Sequence, residues 1–482
     1  MMSNLAKESA MNRINALLDE NSFVEIGGLV TARSTDFNMQ DKVAASDGVI
    51  TGYGVIDNSL VYVYSQDASI LGGTVGEMHA KKISRLYDMA VKMGAPVVAL
   101  VDCAGLRLEE AADALNAFGE VYAKQAAASG VVPQVTAVFG TCGGGMGVMA
   151  SLSDFTFMAE DGKLFVNAPN TLDGNRAEKC DTASAAYQAE VSGMADYTGT
   201  EEEVLAGIRQ LVSVLPMNND DFAEEQCADD LNRVCENLAD CVGDTEIALE
   251  NLADAGTFFE IKKAYAKNMV TGFMKLNGIT VGAVANRAAV YDEEGKAEEL
   301  GTALTAEGCE KAADFVNFCD AFNIPVLTLT NASGFAATVD NEKRIAKAAA
   351  KMTYAYAEAT VPKVNVVVGQ AMGNAYNVMN SKACNADIVY AWPDAKIGTM
   401  DSDAAVRIIY AEEIKKAEDS VAFINEKKAE YETLQVSAAS AAKRGYVDSI
   451  IAPEDTRKYV IGAFEMLYTK KEERPAKKHG TV

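Results

Sequence analysis

Apolar positions along the chain predict strands that are separated by helices. Residues 47–66 alternate apolar and polar positions as a strand hairpin does, with Asp57 and Asn58 as turn residues. Residues 76–94 carry apolar positions at helical spacing and end on a glycine, and the apolar strand PVVALVD follows them. A helix over 110–129 and the strand QVTAVF come next. Strands that alternate with crossover helices predict an α/β fold.

The same order of elements returns later in the chain at a constant offset, the one that takes Pro96 to Pro325. The repeated segments are PVVALVDCAGL (96–106) with PVLTLTNASGF (325–335), and VPQVTAVFGTCGGGMG (132–147) with VPKVNVVVGQAMGNAY (361–376). Prolines and glycines share this repeat offset at five positions, which chance hardly produces. The repeat therefore predicts two homologous domains in tandem, each with its own glycine turn.

We place the two predicted domains at residues 1–243 and 244–482. Their boundary lies in an acidic stretch, rich in Asn, Asp and Glu, that runs from about 217 to 255. This stretch is predicted to be a helical or loose connector that carries no chemistry. A chain of 482 residues is too long for one core, and 49% hydrophobic residues supply enough apolar surface for two.

Charge and composition exclude several classes of function. A net charge of −26 argues against a nucleic-acid groove or a basic membrane-surface patch, because both need clustered Lys and Arg. An anionic small molecule is still allowed where basic residues gather locally. No segment approaches the roughly 18 uninterrupted apolar residues of a membrane span, and the N-terminus is a poor signal peptide. We therefore expect a cytoplasmic protein.

Few residues in this sequence are suited to metal binding or to histidine-based catalysis. The nine cysteines show no CxxC spacing and there are only two histidines, so no metal site is predicted. His79 is expected to be packed or hydrogen-bonded structurally rather than to act as a base. Lys92 and Lys351 lie in tetrapeptides that resemble a biotinylation motif, but both fall in helical segments and are expected to be ordinary lysines.

Three glycines follow the strand QVTAVF and open a helix of small residues, GTCGGGMGVMA at 140–150. At such a helix start, free backbone N–H groups point at whatever lies in front of them, and glycine allows a close approach. The arrangement can form an oxyanion hole, and it can equally be a tight turn without function. A phosphate cradle fits less well, because neither GxxxxGK[ST] nor GxGxxG can be read there. The duplicated counterpart GQAMGNAY at 369–376 favours a function.

Ordered blocks along almost the whole chain carry a family resemblance. They include NRINALLDENSFVEIG (12–27), GGTVGEMHAKKI (72–83), YAKNMVTGFMKLNG (265–278), FVNFCDAFNIPV (315–326) and ADIVYAWPDAKIGTM (386–400). With these blocks the chain resembles the carboxyltransferase subunits of biotin-dependent acyl-CoA carboxylases and decarboxylases, of the propionyl-CoA carboxylase β and methylmalonyl-CoA decarboxylase α type. The resemblance implies two tandem crotonase-like domains, each a ββα spiral, and a ring of six subunits with active sites between subunits.

The resemblance also assigns roles to the two glycine turns. Gly144 and Gly145 match the pair that holds the thioester oxygen of the acyl-CoA, and Asn374 and Ala375 match the pair that holds the ureido oxygen of biotin. Transfer of CO2 between an α-carbon and a biotin nitrogen develops negative charge on two oxygens, so one oxyanion hole per domain suits the chemistry. The remaining candidate contacts to the cofactors are Gly105, Arg107, Gly334, Phe335, Gly373 and Tyr376, among which Arg107 is expected to help bind the phosphates of coenzyme A.

The implied cofactors are biotin on a separate carrier protein and coenzyme A as part of a short-chain substrate of the methylmalonyl-CoA or propionyl-CoA type. Implied partners are the carrier protein and, depending on the direction of transfer, a biotin carboxylase or a membrane sodium-pump subunit.

Several positions depart from the family pattern, and most of them lie on the biotin side. The triplet Gly-Asn-Ala at 373–375 stands where the family commonly has two glycines and an alanine, and MDSD at 400–403 replaces a methionine followed by glycine. Two alternatives therefore stay open. One is a biotin-independent crotonase-like lyase or hydratase that kept only the first oxyanion hole, and the other is a non-catalytic structural subunit.

Overall fold

The computed structural model describes residues 2–33, 39, 44–221, 227, 229–291 and 294–475. The chain divides into two compact units, Met1–Ala223 and Glu224–Val482. Among the described residues, no helix combines the length and the apolar character that a membrane span requires.

The first unit is built on one eight-stranded sheet. Its strands are β1 (Val24–Glu25), β2 (Val49–Ile56), β3 (Ser59–Gln66), β4 (Val97–Cys103), β5 (Gln134–Gly143), β6 (Phe155–Ala159), β7 (Lys163–Phe165) and β8 (Tyr197–Gly199). Its helices are α1 (Met2–Leu17), α2 (Glu77–Met93), α3 (Ala111–Ala128), α4 (Gly145–Ser151), α5 (Ala185–Glu190) and α6 (Glu201–Val214). The strand order is β1-β2-β3-β4-β5-β6-β8, and β7 pairs with β5. The first three strands are antiparallel, and every later pair is parallel.

The second unit repeats this sheet and adds two short two-stranded sheets. Its strands are β9 (Phe259–Ile261), β10 (Met269–Leu276), β11 (Ile279–Asn286), β12 (Ala289–Tyr291), β13 (Ala297–Glu299), β14 (Ala303–Leu304), β15 (Val326–Ala332), β16 (Gly334–Phe335), β17 (Lys363–Met372), β18 (Ile388–Ala391), β19 (Lys396–Gly398) and β20 (Ser449–Ile450). Its helices are α7 (Thr245–Leu252), α8 (Ala306–Ala321), α9 (Val339–Glu342), α10 (Ile345–Glu358), α11 (Gly373–Val378), α12 (Ser402–Ile409), α13 (Ala411–Lys416), α14 (Ser420–Tyr431), α15 (Ala438–Lys443) and α16 (Thr456–Leu467). The main order is β9-β10-β11-β15-β17-β18-β20, with β19 on β17.

The repeat in the sequence corresponds to matched strands in the two sheets. Both ends of β15 follow those of β4 at the repeat offset, and both ends of β17 follow those of β5 at the same offset. Each pair of strands also shifts register at the same place, between Val101 and Cys103 and between Thr330 and Ala332. The two units therefore share one topology down to an irregularity in the central strands.

The division between the two units falls at 223/224, twenty residues before the boundary that we placed at 243. The acidic stretch packs with the second unit, because Cys235, Leu238 and Leu249 are buried in the same apolar cluster as strands β10 and β11. Hydrophobic residues at intervals within a charged segment therefore make it part of a core. Residues 222–226 and 228 of this stretch lie outside the described residues.

Candidate functional site

The first glycine turn joins β5 to α4. Gly144 has φ +61° and ψ −122°, a backbone conformation that side chains disfavour, and its N–H donates to the carbonyl of Phe165 at 2.9 Å. Gly145 and Met146 are the first two residues of α4, so their N–H groups have no partner inside the helix. The turn thus offers the N–H groups of Gly145 and Met146 to a ligand, whereas that of Gly144 is already occupied.

Two contacts explain why glycine is required next to this turn. A Cβ at Gly145 would lie 2.8 Å from the Tyr122 hydroxyl, which itself donates to the Gly145 carbonyl at 2.9 Å. Gly105 has φ +116°, and a Cβ there would lie 3.2 Å from the Gly143 carbonyl. The structure therefore brings Gly105 against the turn.

Arg107 lies in the same loop as Gly105 but is fully buried. Its guanidinium donates to Asp47 at 2.5 Å, to Glu110 at 2.8 Å and to the carbonyl of Thr74 at 2.7 Å. The charge is therefore neutralised inside the first unit and is not presented to a phosphate. The prediction that Arg107 binds the phosphates of coenzyme A is therefore wrong.

We expect Arg107→Met to destabilise the first unit strongly. The change leaves Asp47 and Glu110 buried without their cation, and breaking a buried ion pair in this way costs about 3–5 kcal/mol. Urea unfolding followed by circular dichroism measures the loss. A matched control is Arg407→Met, which breaks an exposed pair with Asp403 in α12 and should leave the midpoint unchanged. Equal midpoints for the two variants would contradict a structural role for Arg107.

His79 belongs to the same buried cluster and is not a candidate base. Its Nδ1 lies 2.9 Å from the Asp47 carbonyl oxygen, and its Nε2 lies 3.1 Å from Nε2 of Gln66. Burial lowers the pKa of His79 to about 3, and the nearby Arg107 adds to this effect. The imidazole is therefore neutral at ordinary pH, and its structural role is as expected.

The second glycine turn joins β17 to α11 in the second unit. Gly373 has φ +59°, and α11 begins at this residue, so the N–H groups of Gly373, Asn374 and Ala375 have no partner inside the helix. Ala375 is buried, whereas the side chain of Asn374 is exposed and accepts a hydrogen bond from Asn377 Nδ2 at 3.2 Å. The backbone N–H groups of this turn are therefore still present, although Asn374 stands where the family commonly has glycine.

This turn forms part of the wall of a pocket of about 790 Å³. The lining residues are Gly373, Asn374, Tyr376, Asn377, Ser381, Lys382, Ala383, Ile397, Gly398, Thr399, Tyr431, Gln435, Ala441, Arg444 and Tyr446. Three of them, Gly373, Asn374 and Tyr376, are candidates from the sequence. Burial raises the pKa of the Tyr376 hydroxyl to about 12. A pocket of this volume is within the range that binds small molecules.

Two other candidates from the sequence, Gly334 and Phe335, lie beside α11 but do not line this pocket. They form β16, which pairs with Ala303 and Leu304 of β14, and neither is among the described residues that line the pocket. Gly334 has φ +147°, a conformation that favours glycine, as its counterpart Gly105 also has.

Sequence reasoning missed the side chains that shape the strands before each turn. Asp102 Oδ1 accepts from Thr141 N at 3.1 Å, and Asn331 Oδ1 accepts from Gln370 N at 2.9 Å. These carboxyl and amide groups occupy the space that a Cβ at Gly140 or Gly369 would need. The repeated glycine pair was visible in the sequence, but its polar partners are not identical residues and gave no such signal.

No group of three or more potential metal ligands occurs in the described part of the chain.

Comparisons with known proteins show the family of the chain. The carboxyl transferase domain family matches residues 4–482. The chain is 39% identical to the carboxyltransferase subunit of propionyl-CoA carboxylase from Haloferax mediterranei, over 99% of this chain and 93% of that protein. It is also 39% identical to the alpha subunit of methylmalonyl-CoA decarboxylase from Propionigenium modestum, with the same shares covered.

A solved structure shows the same fold. A crystal structure of transcarboxylase 12S, described as a hexamer with hydrolysed methylmalonyl-coenzyme A bound, matches with a TM-score of 0.93 and 35% identity. The match covers 100% of this chain and 94% of the other. Together with the repeated sheet, this match confirms the predicted α/β fold of two tandem crotonase-like domains.

Proposed function

The chain belongs to the carboxyl transferase domain family and is an acyl-CoA carboxyltransferase, and from that premise we propose which atoms it uses. We propose that it is the carboxyltransferase subunit of a biotin-dependent decarboxylase or carboxylase. It moves CO2 between a short-chain acyl-CoA of the methylmalonyl-CoA or propionyl-CoA type and biotin on a separate carrier protein. The observation that carries this proposal is one glycine turn built twice, with the second copy in the wall of a ligand-sized pocket.

The first unit is proposed to act on the thioester. When the bond between the α-carbon and the carboxyl group breaks, the electron pair moves toward the thioester oxygen, and the same oxygen carries charge in the reverse direction. The N–H groups of Gly145 and Met146 are the proposed donors to this oxygen, because the N–H of Gly144 is used by Phe165. Such preorganised donors stabilise developing charge at little cost in reorganisation.

The second unit is proposed to hold biotin. The bicyclic ring of biotin is proposed to lie in the pocket beside α11, where the N–H groups of Asn374 and Ala375 would donate to its ureido oxygen. Biotin supplies the nitrogen that accepts or delivers CO2, and the protein supplies the donors and the walls. With charge stabilised by backbone groups, the proposed reaction does not depend on a titratable side chain.

The proposed assembly is a homohexamer, like the one described for transcarboxylase 12S. The carrier protein, with a biotin carboxylase or a membrane sodium-pump subunit, completes the proposed complex in the cytoplasm, and these partners set the direction of transfer.

We expect the protein to decarboxylate methylmalonyl-CoA only when biotin or a biotinylated carrier is supplied, and avidin should stop the reaction. Release of propionyl-CoA, followed by chromatography, measures turnover. The alternatives give other results. Turnover that is indifferent to biotin and avidin would indicate a biotin-independent lyase, and a folded protein without turnover in either condition would indicate a structural subunit.

A further inference from the structure

A buried network of polar side chains lies behind the second glycine turn. Thr330 Oγ1 in β15 donates to Asn365 Oδ1 in β17 at 2.8 Å. Asn365 Nδ2 in turn donates to the carbonyl oxygens of Met379 at 3.1 Å and Asn380 at 2.9 Å. All four residues are fully buried. The network therefore fastens the segment that directly follows α11 to the two central strands of the sheet.

The network also includes the side chain of Asn380. Asn380 has φ +54°, and its Nδ2 donates to Thr328 Oγ1 at 3.2 Å, which contacts the Tyr356 hydroxyl at the same distance. Five polar side chains in a core are costly unless they are hydrogen-bonded, and a network of this kind specifies one arrangement of its members. In this protein, the network fixes the position of the residues at which α11 ends.

The first unit has the same strands without this network. At the repeat offset, Thr328, Thr330 and Asn365 correspond to Ala99, Val101 and Thr136. Ala99 and Val101 are buried in the same register of the sheet, so the fold accepts purely apolar side chains there. Stability of the sheet alone therefore does not require the hydroxyl groups of the second unit.

The helices that follow the two glycine turns also end differently. In the first unit, α4 continues to Ser151, which corresponds to residue 380, whereas α11 ends at Val378, two positions earlier. A helix as short as α11 has too few internal hydrogen bonds to hold its own orientation. Its position is therefore set by the packing of its buried residues, Ala375 and Val378, and by the bonds at its ends. At the C-terminal end, Asn365 holds the two carbonyl groups that follow the last residue of the helix.

We infer that Thr330 and Asn365 are positioning residues for the second turn, which orient the N–H groups of Asn374 and Ala375 toward the ligand of the pocket. This inference rests on the proposed function for its assignment to biotin. The rate of transfer depends steeply on the position of the donors. A small rotation of α11 would therefore slow the transfer step while leaving the thioester site in the first unit unchanged.

The test compares Thr330→Val with Thr271→Val in the full-length protein. Valine at 330 is the residue that the first unit carries at the corresponding position, so it fits the strand while deleting the hydroxyl donor. Thr271 is a matched control in the same unit, because its buried hydroxyl donates to the Ile261 carbonyl at 3.1 Å within another strand pair. Asn365→Thr, which copies Thr136 of the first unit, is a second variant should Thr330→Val fold poorly.

We expect Thr330→Val to lower kcat for biotin-dependent decarboxylation of methylmalonyl-CoA about ten-fold or more, with KM for methylmalonyl-CoA unchanged. Hydrogen exchange of the peptide amides at 373–380 should become about ten-fold faster, because the anchored end is released. Thr271→Val should change neither kcat nor the exchange rate. Thr330→Ser, which keeps a hydroxyl at this position, should have a kcat close to that of the wild type.

Two outcomes would overturn the inference in different ways. If the wild type requires biotin but Thr330→Val and Asn365→Thr match Thr271→Val in both kcat and exchange, the positioning role is wrong and the proposed function stands. If the wild type turns over without biotin, the proposed function fails, and the assignment of this network to biotin transfer fails with it.

Discussion

Asn374→Pro is expected to lower biotin-dependent turnover by about 10²–10³-fold, the usual effect of losing one oxyanion donor. Proline removes the backbone N–H of residue 374 but is tolerated in the first turn of a helix, where that N–H has no helical partner. The side chain of Asn374 is exposed, so the change should leave the fold intact. Circular dichroism and the mass of the assembly by light scattering would check that it does.

Asn374→Gly is the matched control for this loss. It keeps the N–H group and removes the amide that bonds to Asn377 in the wall of the pocket, so turnover should be unchanged or higher. Proline and glycine variants with equal activity would exclude the N–H of residue 374 as a donor to biotin. A fall in both variants would instead assign the role to the asparagine side chain.

The sequence predicted the fold well where the repeat is continuous. The stretch from the strand before each glycine loop to the glycine turn keeps one constant offset, because the crossover from β4 to β5 is as long as that from β15 to β17. Outside this stretch the offset changes, since β11 follows β3 at a shorter interval and β18 follows β6 at a longer one. Loops at the surface absorb these differences, so self-comparison of the sequence finds only the central strands.

The candidate sites were predicted less completely, since their walls come from distant segments. Tyr431 and Arg444 line the second pocket from α14 and the end of α15, and neither was singled out from the sequence. Arg107 illustrates the opposite error. Its place in a glycine loop suggested a phosphate contact, but its main partner Asp47 lies 60 residues earlier in the chain, where sequence spacing gives no indication of an ion pair.

The other variant with a large expected effect on activity lies in the first glycine turn. Gly145→Val should lower kcat/KM for methylmalonyl-CoA by about 10²–10³-fold, because the N–H of Gly145 is a proposed donor to the thioester oxygen. A Cβ there would lie 2.8 Å from the Tyr122 hydroxyl, so the turn must move to admit the new side chain. Steady-state kinetics with saturating biotin would measure the loss.

Tyr122→Phe separates a displaced donor from a lost packing contact. It deletes the hydroxyl that donates to the Gly145 carbonyl but leaves every backbone N–H of the turn in place, so we expect a much smaller loss than for Gly145→Val. In the double variant Gly145→Ala with Tyr122→Phe, the collision with the hydroxyl is removed, and activity should exceed that of Gly145→Ala alone. A folded Gly145→Val protein with full turnover would show that the first turn serves the fold and not the thioester.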